Sequence, residues 1–394
     1  MKKSPLFLGI PLTVITCGAL LARGGNLDPG TPPGPTMHTL EEIYQKLDSL
    51  TLPTRELSDS TTEVVAGVYG ATNLTQVDPD LVPENIRKGI VLFGLVGTCE
   101  GEPSASNGWV NIPAGEFTMG NVVDPEEGWA DELPTHTVSV SAFDMERFEV
   151  TRTLWDEVAD WAATNGYDIA SASVSAKSAN HPVYDVNWYE CLKWCNARSQ
   201  KEGRTPVYYT DGAWTQVYAV GEVLVGEDSV NWAADGYRLP TEAEWEKAAR
   251  GGSVGARFSW NDFANQISHA RANYFGESGL CSYDLSSGYH PDYNSLPAPF
   301  TSPAGSFPAS ACGAYDLTGN VWEWCWDRYS SSWYSDAGAS DPDTRGPAAG
   351  AARILRGGAW KYGPNYQRVS YRGKADPGQN ADDFGFRTVV KSGP

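Results

Sequence analysis

The chain has 394 residues, 41% of them hydrophobic, enough for one large domain with an extension or for two domains. Its formal net charge is −20, from 49 acidic against 29 basic residues, which argues against the counterion-release binding on which nucleic acids and anionic membranes depend. Forty-one glycines, 15 tryptophans and 19 tyrosines argue for few long helices and a loop-rich fold, with aromatic plates over irregular backbone and glycines at positive φ.

Residues 1–25, "MKKSPLFLGIPLTVITCGALLARGG", read as a secretory signal: two lysines, then an apolar run too short and too interrupted by Gly9 and Pro11 to span a membrane. Export to the periplasm, cell surface or medium is expected. Cys17 near the end of the run also fits a lipid anchor, the one route to a membrane, although Thr16 stands where a small residue is usual; loss of Cys17 with the signal is the other outcome. Residues 26–36 form a proline- and glycine-rich linker. In 37–52, Met37, Leu40, Ile43, Tyr44, Leu47 and Leu50 recur at helical spacing behind a Thr36 cap, predicting a short amphipathic helix that packs on its own body or on copies of itself in a homo-oligomer. Residues 53–105 alternate short β-branched runs with Gly, Asn and Pro, a small β-rich stem.

A new grammar occupies 106–394: "GWVNIPAGEFTMGN", "DELPTHTVSVSAFDMERFEVTRTLWDEVADW", "HPVYDVNWYECLKWCNARSQKEG", "GYRLPTEAEWEKAARGG", "GAYDLTGNVWEWCWDRY", "RILRGGAWKYG" and "DDFGFRTV". The pattern predicts a hairpin-like opening and helices over about Thr151 to Thr164 and Trp188 to Glu202. A third helix follows Thr241, whose capping box is completed by Glu244 and which Gly251 and Gly252 end. Loops and short strands follow.

These blocks, in this order from Trp109 to Val390, resemble the formylglycine-generating enzyme (sulfatase-modifying factor) family. The resemblance implies an α+β, loop-rich variant of the C-type lectin fold. Enzymes of that family oxidise a sulfatase cysteine with a copper ion held by two cysteines after a double glycine. Here that segment is "GGAWKYGPNYQRVSYRG", and the last cysteine of the chain is Cys325, so copper is not expected. A sister branch uses histidine-bound iron, but His38, His136, His181, His269 and His290 are far apart in sequence and form no HxxxH pair. No nucleophile elbow of the form GxSxG occurs.

Cys17 aside, six cysteines allow 15 disulfide connectivities. Cys281 and Cys312 flank one Gly-, Pro- and Asp-rich loop and are the preferred pair; Cys191, Cys195 and Cys325 read as buried free thiols. The resemblance further implies structural calcium. One site would use the Asp316 side chain, the Gly319 and Val321 carbonyls and Glu323. A second would use Asn273, the Tyr274 carbonyl, Asp292 and Asn294. The plainer alternative is that Asn320 and Glu323 satisfy buried backbone.

Three functions fit. The first is a binding module whose Trp360, Tyr362, Tyr366, Arg368, Tyr371 and Arg372 meet a glycan, peptide or protein, about half of the six facing solvent. Related folds serve as variable receptors with diversity in this terminal segment, an analogy of fold alone. The others are a modifying oxidase with a non-standard site and a surface scaffold. Arg353, Arg356 and Arg387 are expected to pair with the carboxylate excess.

Overall fold

The structure, a computed structural model, describes residues 54–55, 68–69, 91–92, 95–96, 108–124, 126–169, 173–260 and 265–393. The chain divides into two compact units, 1–102 and 103–394. In the first, β1 (Thr54–Arg55) pairs parallel with β2 (Val68–Tyr69), and β3 (Val91–Leu92) antiparallel with β4 (Leu95–Val96). The signal, the linker and the helix expected at 37–52 lie outside the described residues.

The second unit opens with β5 (Trp109–Ile112), β6 (Gly115–Met119), β7 (His136–Val140) and β8 (Phe143–Glu146). β6 and β7 form the hairpin, whereas β8 lies between β5 and the last strand, β15 (Val389–Lys391). The two ends of the unit are thereby sewn into one sheet.

Three helices follow their sequence signals. In α1 (Arg152–Ala162) the Thr151 hydroxyl accepts from the Leu154 N–H, and Trp155, Val158, Ala159 and Ala162 recur at three- and four-residue spacing as the buried face. α2 (Trp188–Lys201) starts in a reciprocal Asn187/Glu190 capping box and is buried almost all round. The two pack through Trp155 and Trp194, stacked at 6.0 Å with the edge of Phe386 against both. α3 (Glu242–Arg250) has the Thr241/Glu244 capping box and ends at Gly251, φ 52°. A β-carbon at Gly251 would sit 2.5 Å from that of Ala311, so the left-handed cap also allows a close approach.

Strand pairing orders the remainder as β13 (Gly373–Ala375), β12 (Arg353–Arg356), β11 (Trp322–Arg328) and β14 (Phe384–Gly385), with β9 (Gly276–Glu277) and β10 (Ser287–Gly288) as a separate pair. Because side chains alternate along a strand, Trp322, Trp324 and Trp326 of β11 enter the core cluster that holds α1 and α2. Glu323, Cys325 and Asp327 take the opposite face, where α3 lies: Glu323 accepts from the Trp245 indole at 2.8 Å and Asp327 from the Glu242 amide at 2.7 Å. β12 repeats the alternation. Leu355 joins the tryptophan side and Ile354 the α3 side, and Arg356 stands directly opposite Glu323.

Two expectations are corrected. Cys281 and Cys312 are both free. Cys281 packs beside the small cluster of Phe258 and Tyr283, its Sγ 3.5 Å from Asn365, while Cys312 packs against the α3 cluster and shares a hydrogen bond with Ser310. The loop between them seats each thiol on a different core. Arg353 pairs with no carboxylate among the described residues; its guanidinium lies 3.7 Å above Trp188 and donates to the Trp326 carbonyl. Burial, then repulsion from Arg328, lowers its pKa. Arg356 and Arg387 do pair, with Glu246 and Glu323. Cys191, Cys195 and Cys325 are buried free thiols, each pushed up by desolvation.

Two stability predictions follow. Arg387 and Glu323 are completely buried and bidentate at 2.6 Å, so Arg387→Met, which leaves a bare carboxylate, is expected to cost about 3–5 kcal/mol in urea unfolding, and adding Glu323→Leu should recover part of that loss. His181, bonded to Thr301 at 2.9 Å, is lowered from 6.5 to about 4 by burial and then by Lys177. A histidine neutral in the folded chain and protonated in the unfolded one contributes stability above pH 6.5 that is lost as pH falls toward 4. Thermal midpoints of the parent and His181→Gln should therefore converge across that window.

Candidate functional site

The segment 357–373 is held from below by charge. Arg368 donates to both oxygens of Glu132, at 2.6 and 2.7 Å, and Arg372 does the same to Glu242, at 2.9 and 2.8 Å. Arg356, at the end of β12, reaches Glu246 at 2.5 Å and donates to the carbonyls of Val369, Ser370 and Tyr371. Burial works against each cation, but the facing carboxylates outweigh it and raise all three guanidinium pKa values. Gln367 donates to the Ala359, Tyr362 and Gly363 carbonyls. A β-carbon at Gly358, φ 78°, would lie 2.1 Å from the Gln367 amide oxygen, so the second glycine is required by this close approach.

Glu132 ties in a second segment. Its Oε1 also accepts from the backbone N–H of Trp129 at 3.1 Å, and its Oε2 from the Ser370 hydroxyl at 2.8 Å. Gly128, φ 95°, leaves room for this: a β-carbon there would meet Arg368 Nη2 and Glu132 Oε1, each at 2.6 Å. One buried carboxylate thus fixes both the turn at Trp129 and the segment leading to Tyr371.

An aromatic face lies over this foundation. Trp129 is 41% exposed, sits edge-on to Tyr371 at 4.8 Å and is tilted on Tyr366 at 5.5 Å. Tyr362 touches Tyr366 at 5.2 Å and Trp322 at 5.4 Å. Of the six residues singled out in this segment, Tyr362, Tyr366 and Tyr371 are half-buried at the surface. The other three are buried: Trp360 packs against Phe300 and Tyr289, and Arg368 and Arg372 are 1% and 3% exposed with their donors committed. Neither arginine is free to meet a ligand carboxylate in this arrangement. Trp129 and Glu132 were not anticipated; the sequence signal was a lone "GW" in an acidic loop, and its partner lies more than 200 residues away.

The residues proposed for calcium occupy a tight turn with positive φ at Asp316, Gly319 and Asn320. Gly319 needs no side chain there, since a β-carbon would approach the Asn273 carbonyl to 2.4 Å, and Asn320 N–H donates to that same carbonyl at 2.9 Å. Asp316 accepts from the Gly305 amide. The two carboxylate oxygens of Glu323 are taken by Arg387, and the Val321 N–H donates to Glu149. Glu149 is an addition to the expected set: fully buried, it accepts from Asn320 at 2.7 Å, and desolvation, then Asp316 and Glu323, raise its pKa well above the carboxylate range. Three carboxylates here face one nearby guanidinium, Arg387. Glu323 is neutralised by Arg387. Of the second set, Asn273 is buried against the Phe300 carbonyl and the Tyr274 carbonyl takes the His269 ring, while Asp292 and Asn294 lie on an exposed loop. Among the described residues no three His, Cys, Asp or Glu side chains converge on a metal position. A thiolate-held copper ion does not fit 357–373, which contains no thiol.

The family described as "Sulfatase-modifying factor enzyme 1-like domain" matches residues 96–392. The formylglycine-generating enzyme of Streptomyces coelicolor is 30% identical over 299 residues, 72% of this chain and 90% of that one. Chaperone protein LppX of Paenibacillus barcinonensis is 32% identical over 266 residues, 64% of this chain and 81% of that one. Treponema denticola variable protein 1 superposes with a TM-score of 0.54 at 30% identity, over 72% of this chain and 95% of that chain. The sheets, three helices and long loops are those of this lectin-like architecture, and the chain belongs to the sulfatase-modifying factor family, the family of the formylglycine-generating enzymes.

Proposed function

We propose that the domain is a recognition module whose ligand face is formed by Trp129, Tyr362, Tyr366 and Tyr371. The observation that carries this reading is the double use of Glu132, which holds the turn at Trp129 and Arg368 together beneath the aromatics. Rigid aromatic side chains on a fixed backbone lose little freedom when a partner binds, so their contact area is converted into affinity rather than offset by ordering. With Arg368 and Arg372 buried, the face offers aromatic planes and hydroxyls, which suits the apolar face of a sugar ring or the side chains of a peptide. Likeness to a solved protein titled a variable protein supports the same reading.

Screening the exported form on a glycan and peptide array tests it. Tyr366→Ala, Tyr371→Ala and Trp129→Ala should each weaken binding by about tenfold or more, the scale of a buried aromatic anchor, with the thermal midpoint moved little. Undiminished binding by all three variants, or copper-dependent turnover of a thiol peptide, overturns it.

A calcium ion beside Glu149 belongs to the same proposal, as a structural element that compensates a fully buried carboxyl with Asp316 and Glu323 as neighbours. Chelator should lower the thermal midpoint of the parent protein, and that response should shrink in Glu149→Gln, which removes that buried carboxyl. A midpoint indifferent to chelator, with no calcium retained by elemental analysis, counts against the ion.

A further inference from the structure

A cavity of about 360 Å³ lies between the β5–β6 connection, the end of α3 and Cys312. It shares no residue with the aromatic face. Ile112, Phe117, Val122 and Val254 supply apolar wall, and two cations, Arg250 and Lys247, line it. Lys247 donates to the Gly115 and Val140 carbonyls and has no carboxylate partner among the described residues. Glu116 contributes the acidic side chain of the lining, on the exposed hairpin.

Arg250 is only 3% exposed. Its Nε and Nη2 bond to Glu246 at 2.9 and 2.7 Å, and Nη2 also donates to the Gly120 carbonyl, but Nη1 has no hydrogen-bond partner. The cause lies behind it. Glu246 gives Oε1 to Arg250 and Oε2 to Arg356, while Glu242 is gripped by Arg372 with Arg356 at 3.7 Å. Three guanidiniums therefore share two carboxylates. The neighbouring Asp327 does not supply a third: its Oδ2 accepts from the Glu242 amide, and burial, then Glu242, raises its pKa well above the usual carboxylate range. Arg356 also has an unpartnered nitrogen, Nε, yet of these arginines only Arg250 lines the cavity. An unbonded donor of a buried cation is costly, and the arginine that carries it lines a space of ligand size with apolar walls.

We propose that this cavity binds a small carboxylate with an apolar body, of the medium-chain fatty acid class, its head group on Arg250 Nη1 and Lys247 and its chain along Ile112, Phe117 and Val122. The site is independent of the aromatic face, so either can fail alone.

Calorimetric titration of the full chain with octanoate, octanol and octylamine tests it. Octanoate is expected to saturate a single site at least about tenfold more tightly than octanol or octylamine. Two substitutions at exposed lining positions avoid the buried network: Ala114→Trp fills the space, and Val254→Glu places a repelling charge at its rim. Each should weaken octanoate by about tenfold or more without shifting the thermal midpoint. Equal affinity for the acid and the amine, unchanged octanoate binding in both variants, or no saturable binding overturns the proposal.

Discussion

The structure depends on guanidinium groups buried against carboxylates. Arg356, Arg368, Arg372 and Arg387 are each at most 3% exposed, and each faces a glutamate that is equally inaccessible. They do more than neutralise charge. Arg387 donates to the carbonyls of Glu146, Arg147 and Tyr315, Arg372 to those of Asp131 and Ser330, and Arg356 to three carbonyls of 369–371. In a fold with so much irregular backbone, carbonyls that no helix or ladder satisfies need donors. A planar group with five N–H bonds serves several at once. Such pairs need not add stability over a well-packed apolar core, but each partner makes the other indispensable.

That arrangement explains how a segment can be both rigid and displayed. The alternation along β11 and β12 sends tryptophans to one core and charged groups to the other, beneath α3. The latter anchors 357–373 from inside and leaves the tyrosines on top. The loops are consequently ordered without disulfides among the described cysteines, and the aromatic face rests on a foundation that a change of surface side chain would leave intact.

Charge does not balance everywhere in this interior. Glu149 is fully buried with Asp316 and Glu323 as neighbours, and at Arg250 one guanidinium nitrogen lacks a hydrogen-bond partner. The proposed cation at one place and the proposed carboxylate ligand at the other are partners of opposite sign, suited to an interior in which uncompensated charge is costly.

Local signals in the sequence were sufficient for the helices. Thr241 with Glu244, Gly251 after Arg250 and the apolar spacing from Trp155 to Ala162 act within a few residues, so their outcome does not wait on the rest of the fold. The ordered tryptophan-rich blocks likewise determined the architecture, and the sequence places no thiol after Gly358. What tertiary structure alone decided is which polar groups face solvent. Arg368 and Tyr366 stand two residues apart in one basic and aromatic stretch, and nothing local tells them apart. Arg368 is buried because Glu132, 236 residues earlier, arrives beneath it, and Tyr366 stays half-buried at the surface, tilted on Trp129. Cys281 and Cys312 show the same limit: proximity along the chain favoured a bond, but each thiol was carried to a different core. Pairings between distant residues are set by packing, and packing is a property of the whole fold rather than of any segment.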